Sequence, residues 1–349
     1  MKTLSLFTGA GGLDIGLERA GAKIIVANEM DATACKTYQA NHPFTTVFNE
    51  DIIKIKQDLL HLSNVDLVAG GPPCQGFSVA GKMNPDDPRS QMVFHFADIV
   101  CGIKPRFFIM ENVSSLGRLE KFESVRQRLF TQYKENGYHL STLILNAHDF
   151  GLAQSRERFF IVGSRYIPEI SSALPLLIQE YQKKAPKVKD VLLSVGQYGT
   201  PENNRICKAI ITLAKNPVLR KSAYSGMLFN GQGRPINLEH RANTLPASMG
   251  GNRTPIVDND ALYLGKVSKV EKLHSSLMSG TPIHKLSVPS SLRRLTVDEA
   301  LVLQDFPRDY CFSGSQSKIY NQIGNAVPSR LGYILLNAIK KLDNIELKR

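Results

Sequence analysis

The chain has no C-x-x-C pair and an odd number of cysteines: Cys35, Cys74, Cys101, Cys207 and Cys311. That usage argues against a disulfide scaffold and for a reducing, cytoplasmic compartment. No apolar run approaches the roughly 20 residues of a membrane span. The N-terminus, Met1 to Phe7, is too short and too soon interrupted by glycine for a signal peptide, and it reads as a first strand. The eight histidines show no ligand spacing with one another or with the cysteines, so no metal site is expected. Internal repeats and low-complexity tracts are also missing.

What is present is a chain of 349 residues, 42% hydrophobic and 21% charged, which fits a globular protein with a real core. Its net charge of +12 is unevenly placed. Residues 1–165 carry 18 Lys and Arg against 17 Asp and Glu, whereas residues 166–290 carry 16 against 8. The first part is balanced like an ordinary enzyme domain. The second is basic, as a surface facing phosphates would be.

The first 165 residues alternate short apolar strands (Leu4–Phe7, Lys23–Asn28, Val65–Ala69, Arg106–Met110, Leu140–Asn146, Arg158–Gly163) with helical patterns at 12–20, 32–41, 92–103 and 121–136. Such alternation predicts an α/β fold with a doubly wound, mostly parallel sheet. From about 168 to 289 the rhythm breaks into short segments divided by Gly, Pro, Asn and Ser, predicting a smaller, loop-rich, β-containing domain. Order returns at Thr296 and Glu299, whose spacing is that of a capping box. A terminal helix is expected from about Pro328 to Leu342.

The most informative run is Gly70-Gly71-Pro72-Pro73-Cys74-Gln75-Gly76-Phe77-Ser78. Two prolines fix φ and deny a helix, so the thiol is held on a stiff turn after a buried strand. Open α/β sheets place their chemistry at such strand ends. Cys74 is therefore a candidate nucleophile; the other four cysteines lack such a setting. A second constellation, Phe7-Thr8-Gly9-Ala10-Gly11-Gly12-Leu13, follows the first strand, and acids recur at the next strand ends as Glu29 and Asp51. This combination suits a turn that approaches a nucleoside closely while a carboxylate grips ribose hydroxyls. A third is Glu111-Asn112-Val113 after an apolar strand, where partial desolvation would raise the Glu111 pKa and suit it to proton donation. A fourth is Gln154-Ser155-Arg156-Glu157-Arg158; on an extended segment the two arginines share one face and suit a phosphate or a polarised base oxygen. The last, Asn321 to Pro328, reads as a turn that opens the terminal helix.

Together, and in this order, these motifs resemble the DNA (cytosine-5) methyltransferases of bacterial restriction–modification systems. The resemblance covers nearly the whole chain; residues of about 170–285 fall where that family has its variable target-recognition region. It implies a Rossmann-like catalytic and cofactor-binding domain over 1–170, completed by 310–349. It further implies a recognition domain over 171–290 and a return segment over 291–309. It implies S-adenosylmethionine as cofactor, held by Phe7, Thr8, Gly9, Gly11, Gly12, Leu13, Glu29, Met30, Asp51, Ile52 and Pro72, with Asn325 and Val327 closing the pocket. Cys74 would attack C6 of a cytosine flipped out of duplex DNA, Glu111 would contact N3 and the exocyclic amine, Arg156 would contact O2, and Arg158 would be its structural or phosphate-holding neighbour. A loop from Gln75 to about Ser90, including Ser78 and Arg89, would close behind the base. Arg234, Arg241, Thr244 and Arg253 are candidates to meet DNA. A working monomer and a companion restriction endonuclease are implied as well. Rival readings are a tRNA cytosine-5 methyltransferase, whose usual Cys-Phe-Thr signature does not occur here, a catalytically silent DNA-binding regulator, and a nicotinamide oxidoreductase.

Overall fold

The computed structural model describes residues 1–73 and 88–346. Packing divides the chain into two compact units. The first comprises Met1–Phe150, Glu157–Lys183 and Val327–Arg349; the second comprises Gly151–Arg156 and Lys184–Ala326.

The first unit is built on strands β1 (Lys2–Leu6), β2 (Lys23–Asn28), β3 (Thr46–Phe48), β4 (Leu67–Gly70), β5 (Phe107–Val113), β6 (His139–Asn146) and β7 (Glu157–Ser164). They form one sheet in the order β3-β2-β1-β4-β5-β7-β6. Strands β1 to β5 pair in parallel, while β7 runs antiparallel to both β5 and β6. The mostly parallel, doubly wound sheet expected from the sequence is thus present. Its helices are α1 (Gly12–Arg19), α2 (Ala32–Asn41), α3 (Ile52–Leu60), α4 (Met92–Ile103), α5 (Ser114–Arg118), α6 (Glu123–Glu135), α7 (Ile170–Gln179) and a C-terminal helix, Ser329–Glu346.

Strand alternation decides which helix covers which face. Leu4 and Leu6 of β1 join Val68, Phe108 and Met110 in a core with Ile55 and Leu59 of α3, Phe96 and Val100 of α4, and Leu129 and Tyr133 of α6. The intervening Ser5 points the other way and donates to Asp14 of α1 at 2.8 Å. On that face α1 packs on the C-terminal helix, which also packs on α7. Gly16 makes the α1 contact possible, since a Cβ there would lie 1.8 Å from the Ser329 carbonyl oxygen.

The strand order reverses between β1 and β4, so the crevice outside their carboxyl ends is a topological switch point. Phe7 to Gly12 leave β1 there, and Gly71-Pro72-Pro73 leave β4 there.

The second unit contains α8 (Val188–Val195), the antiparallel pairs β8 (Leu213–Val218) with β9 (Met227–Phe229) and β10 (Ile256–Asp258) with β11 (Leu292–Arg294), then α9 (Asn259–Leu264), α10 (Lys269–Met278), α11 (Val297–Leu303) and α12 (Gln316–Asn325). Leu228, Phe229, Ile256, Leu273, Leu277 and Leu292 form one of its cores. The Thr296–Glu299 capping box opens α11.

Two features differ from the sequence reading. Residues 321–325 are the end of α12 rather than a turn. The pattern is hard to read because Gly324 lowers helix propensity, yet it lets the helix approach the Pro246 carbonyl, where a Cβ would lie 2.5 Å away. The expected boundaries also shift, because α12 packs on α11 and residues 151–156 bond into the second unit, so 310–326 and 151–156 cluster there.

Candidate active site

The β1 turn uses left-handed backbone at Phe7 (φ 55°), Gly9 (φ 55°) and Gly11 (φ 85°), which glycine adopts readily and Phe7 adopts against its own preference. Thr8 N–H donates to the Asn28 carbonyl at 3.1 Å and Gly11 N–H to the Thr8 carbonyl at 3.0 Å, fixing the turn against β2. Glu29, just past β2, accepts from Gly9 N–H and from Asp31 N–H, both at 2.8 Å. Burial pushes the Glu29 carboxyl above its ordinary value, against the pull of these two bonds. Asp51 caps α3 by accepting from Ile53 N–H at 3.0 Å. Met30 is exposed, whereas Ile52 is 3% exposed and belongs to the core. Among the described residues a Cβ on Gly9 would meet nothing within 4 Å, so the turn is open there beside the Glu29 carboxylate. That space and the carboxylate acceptor fit a nucleoside with free ribose hydroxyls, which donate to it.

Pairing of β5 with β4 ends at Met110 opposite Gly70, while pairing with β7 continues to Val113. Glu111 therefore projects beyond β4 but is still held in a strand. It is 8% exposed, and its Oε1 pairs with Arg158 Nε at 2.7 Å. Gly71 admits the carboxylate, since a Cβ there would lie 2.8 Å from Glu111 Oε2. Asn112 donates from Nδ2 to the Pro72 carbonyl at 3.1 Å and ties the Pro-Pro turn to β5. Its signal in the sequence is an amide directly after the carboxylate at a strand end.

Arg156 and Arg158 do not act as one face. Arg156 is 1% exposed and donates to the Leu245 carbonyl at 3.1 Å and the Gly324 carbonyl at 2.7 Å. The expectation that Arg156 contacts a base is corrected on this ground, because its guanidinium is buried and committed to backbone carbonyls within the second unit. Neighbouring Gln154 accepts from Leu245 N–H and donates to the Leu303 carbonyl and to Gln304 Oε1. Arg158 is the arginine beside the carboxylate.

The model of the C-5 cytosine-specific DNA methylase family matches residues 1–341. The chain belongs to that family. It is 34% identical over 345 residues to the Type II methyltransferase M.FnuDI of Fusobacterium nucleatum, covering 98% of this chain and 94% of that relative. It is 32% identical to M.NgoPII of Neisseria gonorrhoeae, covering 98% and 96%. Among solved structures it superimposes on the Dnmt2 methyltransferase of S. pombe with a TM-score of 0.69, covering 98% and 99% at 18% identity. On the Entamoeba histolytica methyltransferase EhMeth the TM-score is 0.67, covering 100% and 99% at 17% identity. The chain is thus a DNA cytosine-5 methyltransferase on the S-adenosylmethionine-dependent methyltransferase fold, and S-adenosylmethionine is its methyl donor.

In this methyltransferase Cys74, Gln75, Ser78 and the loop through residue 87 lie outside the described residues, as does the side chain of Arg89. Arg234, Arg241 and Arg253 are exposed in the second unit. Thr244 is exposed too, and its hydroxyl donates to the Ser155 carbonyl at 2.8 Å. Asn325 ends α12, with Nδ2 donating to Asn321 Oδ1 at 3.2 Å, and Val327 begins the C-terminal piece of the first unit. No helix among the described residues is long and apolar enough to cross a membrane.

Proposed function

We propose that the methyltransferase modifies a cytosine flipped out of a short, specific duplex sequence, through a covalent bond from Cys74 to C6. The observation that carries this reading is the buried Glu111–Arg158 pair, 2.7 Å apart, beside the Pro-Pro turn that leads into Cys74. The thiolate adds to C6, and the Glu111 carboxyl group holds the exocyclic amine and N3 while charge develops on the ring. C5 becomes nucleophilic. Once C5 has taken the methyl group, loss of the C5 proton to water and expulsion of the thiolate restore the C5–C6 double bond and the aromatic ring. Arg158, rather than Arg156, holds the base carbonyl O2, because Glu111 orients its guanidinium at the same strand end. Arg156 with Gln154 positions the 242–245 segment instead. S-adenosylmethionine, when bound, supplies the electrophilic methyl group. Glu29 grips its ribose, Phe7 to Leu13 form its cradle, and Met30 and Asp51 flank its adenine.

In the second unit Arg234, Arg241 and Arg253 meet DNA. The similarity to Type II methyltransferases supports a role in protecting host DNA from an endonuclease that cuts the same site. One chain carries every residue the reaction calls for, which supports a working monomer. Free thiols at Cys35, Cys101, Cys207 and Cys311 support a reducing, cytoplasmic setting. Bisulfite sequencing of a plasmid after incubation with the protein and S-adenosylmethionine tests the reading. Protected cytosines sharing one short context are expected. A plasmid with none, under conditions where the cofactor binds, would overturn it.

A further inference from the structure

Away from the residues discussed so far, the second unit holds a pocket of about 440 Å³ lined by residues 206–211 and by Tyr198, Ser290, Arg293 and Arg294. The stretch from Asn203 to Leu238 contains six Lys and Arg residues and no carboxylate. Most cations near the pocket have partners. Arg205 pairs with Asp298 at 2.6 Å, and Arg293 pairs with Glu299 at 2.6 Å while stacking over the Tyr198 ring. Two do not. Lys208 is exposed and makes no ion pair among the described residues. Arg294 is 2% exposed and has no carboxylate beside it; its terminal nitrogens donate to the Thr254 carbonyl and to Asn230 Oδ1, both at 2.9 Å. Its Nε is buried without a hydrogen-bond partner.

A buried cation compensated only by neutral carbonyl oxygens is expensive, and an anion nearby offsets that cost. Donors for such an anion are at hand. The backbone N–H groups of residues 207–211 donate to no acceptor among the described residues. Free amides beside cations that have no carboxylate partner are donors suited to phosphate oxygens.

We propose that this pocket is a phosphate site, with Lys208 and amides of the 207–211 segment touching the oxygens and Arg294 supplying charge from behind. The phosphate belongs either to the backbone of bound duplex DNA or to a free nucleotide. The DNA source rests on the methyl-transfer reading; the nucleotide source does not.

The test compares the full chain with its Lys208→Gln variant; the Lys208 side chain is exposed. In one arm, affinity for a duplex carrying the methylated site is measured over a salt series. The variant is expected to lose about one unit of log–log salt slope and to bind about five- to tenfold more weakly near 0.1 M salt. Its kcat at saturating DNA and its methylated sequence should be unchanged. In the other arm, thermal stabilisation by AMP and by inorganic phosphate is measured. A slope difference assigns the site to DNA. A stabilisation present in the parent and lost in Lys208→Gln, with equal slopes, assigns it to a free nucleotide. Equal slopes together with equal AMP and phosphate responses overturn the proposal. A parent protein that binds no duplex counts against the methyl-transfer reading, and the AMP and phosphate arm then decides the pocket alone.

Discussion

Arg158 Nε lies 2.7 Å from Glu111 Oε1 because β7 runs antiparallel to β5: Phe160 opposes Glu111 in the register, and Arg158, two residues away, is its diagonal neighbour on the same face. Both side chains are nearly buried, at 12% and 10% exposure. Removing one partner leaves a charge without compensation. Arg158→Ala should therefore destabilise the protein by about 3–5 kcal/mol. The double variant Arg158→Ala/Glu111→Gln should be less damaged than Arg158→Ala alone. Urea denaturation of the four proteins of the cycle measures this, and strictly additive effects would count against the pair. Glu111→Gln by itself should lower kcat by about 10²–10⁴ with duplex binding retained.

Cys74→Ser should abolish turnover while cofactor binding survives, since serine keeps the shape of the turn but not a thiolate. Calorimetric titration with S-adenosylmethionine and a tritium-transfer assay separate the two properties. Substantial methylation by the serine variant would sink the covalent mechanism.

Glu29→Ala removes the acceptor for Gly9 and Asp31 N–H together with the proposed ribose contact. Cofactor affinity should fall by about 10- to 100-fold, in line with roughly 1.5–3 kcal/mol for a charge-assisted hydrogen bond. Duplex affinity should change far less. The opposite ranking in parallel binding titrations contradicts the ribose assignment.

Asp14 accepts from the Ser5 hydroxyl at 2.8 Å and the Tyr38 hydroxyl at 2.7 Å, with His42 stacked on Tyr38 and paired with Glu18. Burial pushes its carboxyl up to about 6, although His42 and the two hydroxyls pull it down. An acid whose folded-state pKa is raised stabilises the fold below its unfolded pKa, and that contribution is lost as pH rises through the folded value. For Asp14 the contribution is full below about 4 and gone above about 6–7, on the order of 2–3 kcal/mol. Asp14→Asn should flatten the stability profile across that window. Parallel profiles for the two proteins in urea denaturation from pH 4 to 8 would refute the assignment.

Two glycines should respond very differently to alanine. At Gly16 the new Cβ would meet the Ser329 carbonyl oxygen at 1.8 Å and Tyr333 N at 2.6 Å, both backbone atoms of the C-terminal helix. A loss of about 3 kcal/mol or more is expected. At Gly251 a Cβ meets nothing within 4 Å among the described residues, and a change within about 0.5 kcal/mol is expected. Thermal melts of the two variants decide, and similar melting temperatures would refute the packing argument.

By itself the sequence determined the strand–helix alternation, the glycine turn after β1, the acids at successive strand ends, the stiff Pro-Pro turn and the Thr296–Glu299 cap. These are local properties: φ limits, side-chain periodicity and a three-residue capping spacing act within a few residues of one another. Which charges meet was decided only in three dimensions. Arg156 and Arg158 are equivalent on an extended segment, yet one is buried on the Leu245 and Gly324 carbonyls and the other faces Glu111. In α12, Gly324 lowers helix propensity yet permits the close approach to the Pro246 carbonyl. Strand register and helix docking bring together residues far apart in the chain, and no local pattern carries that information.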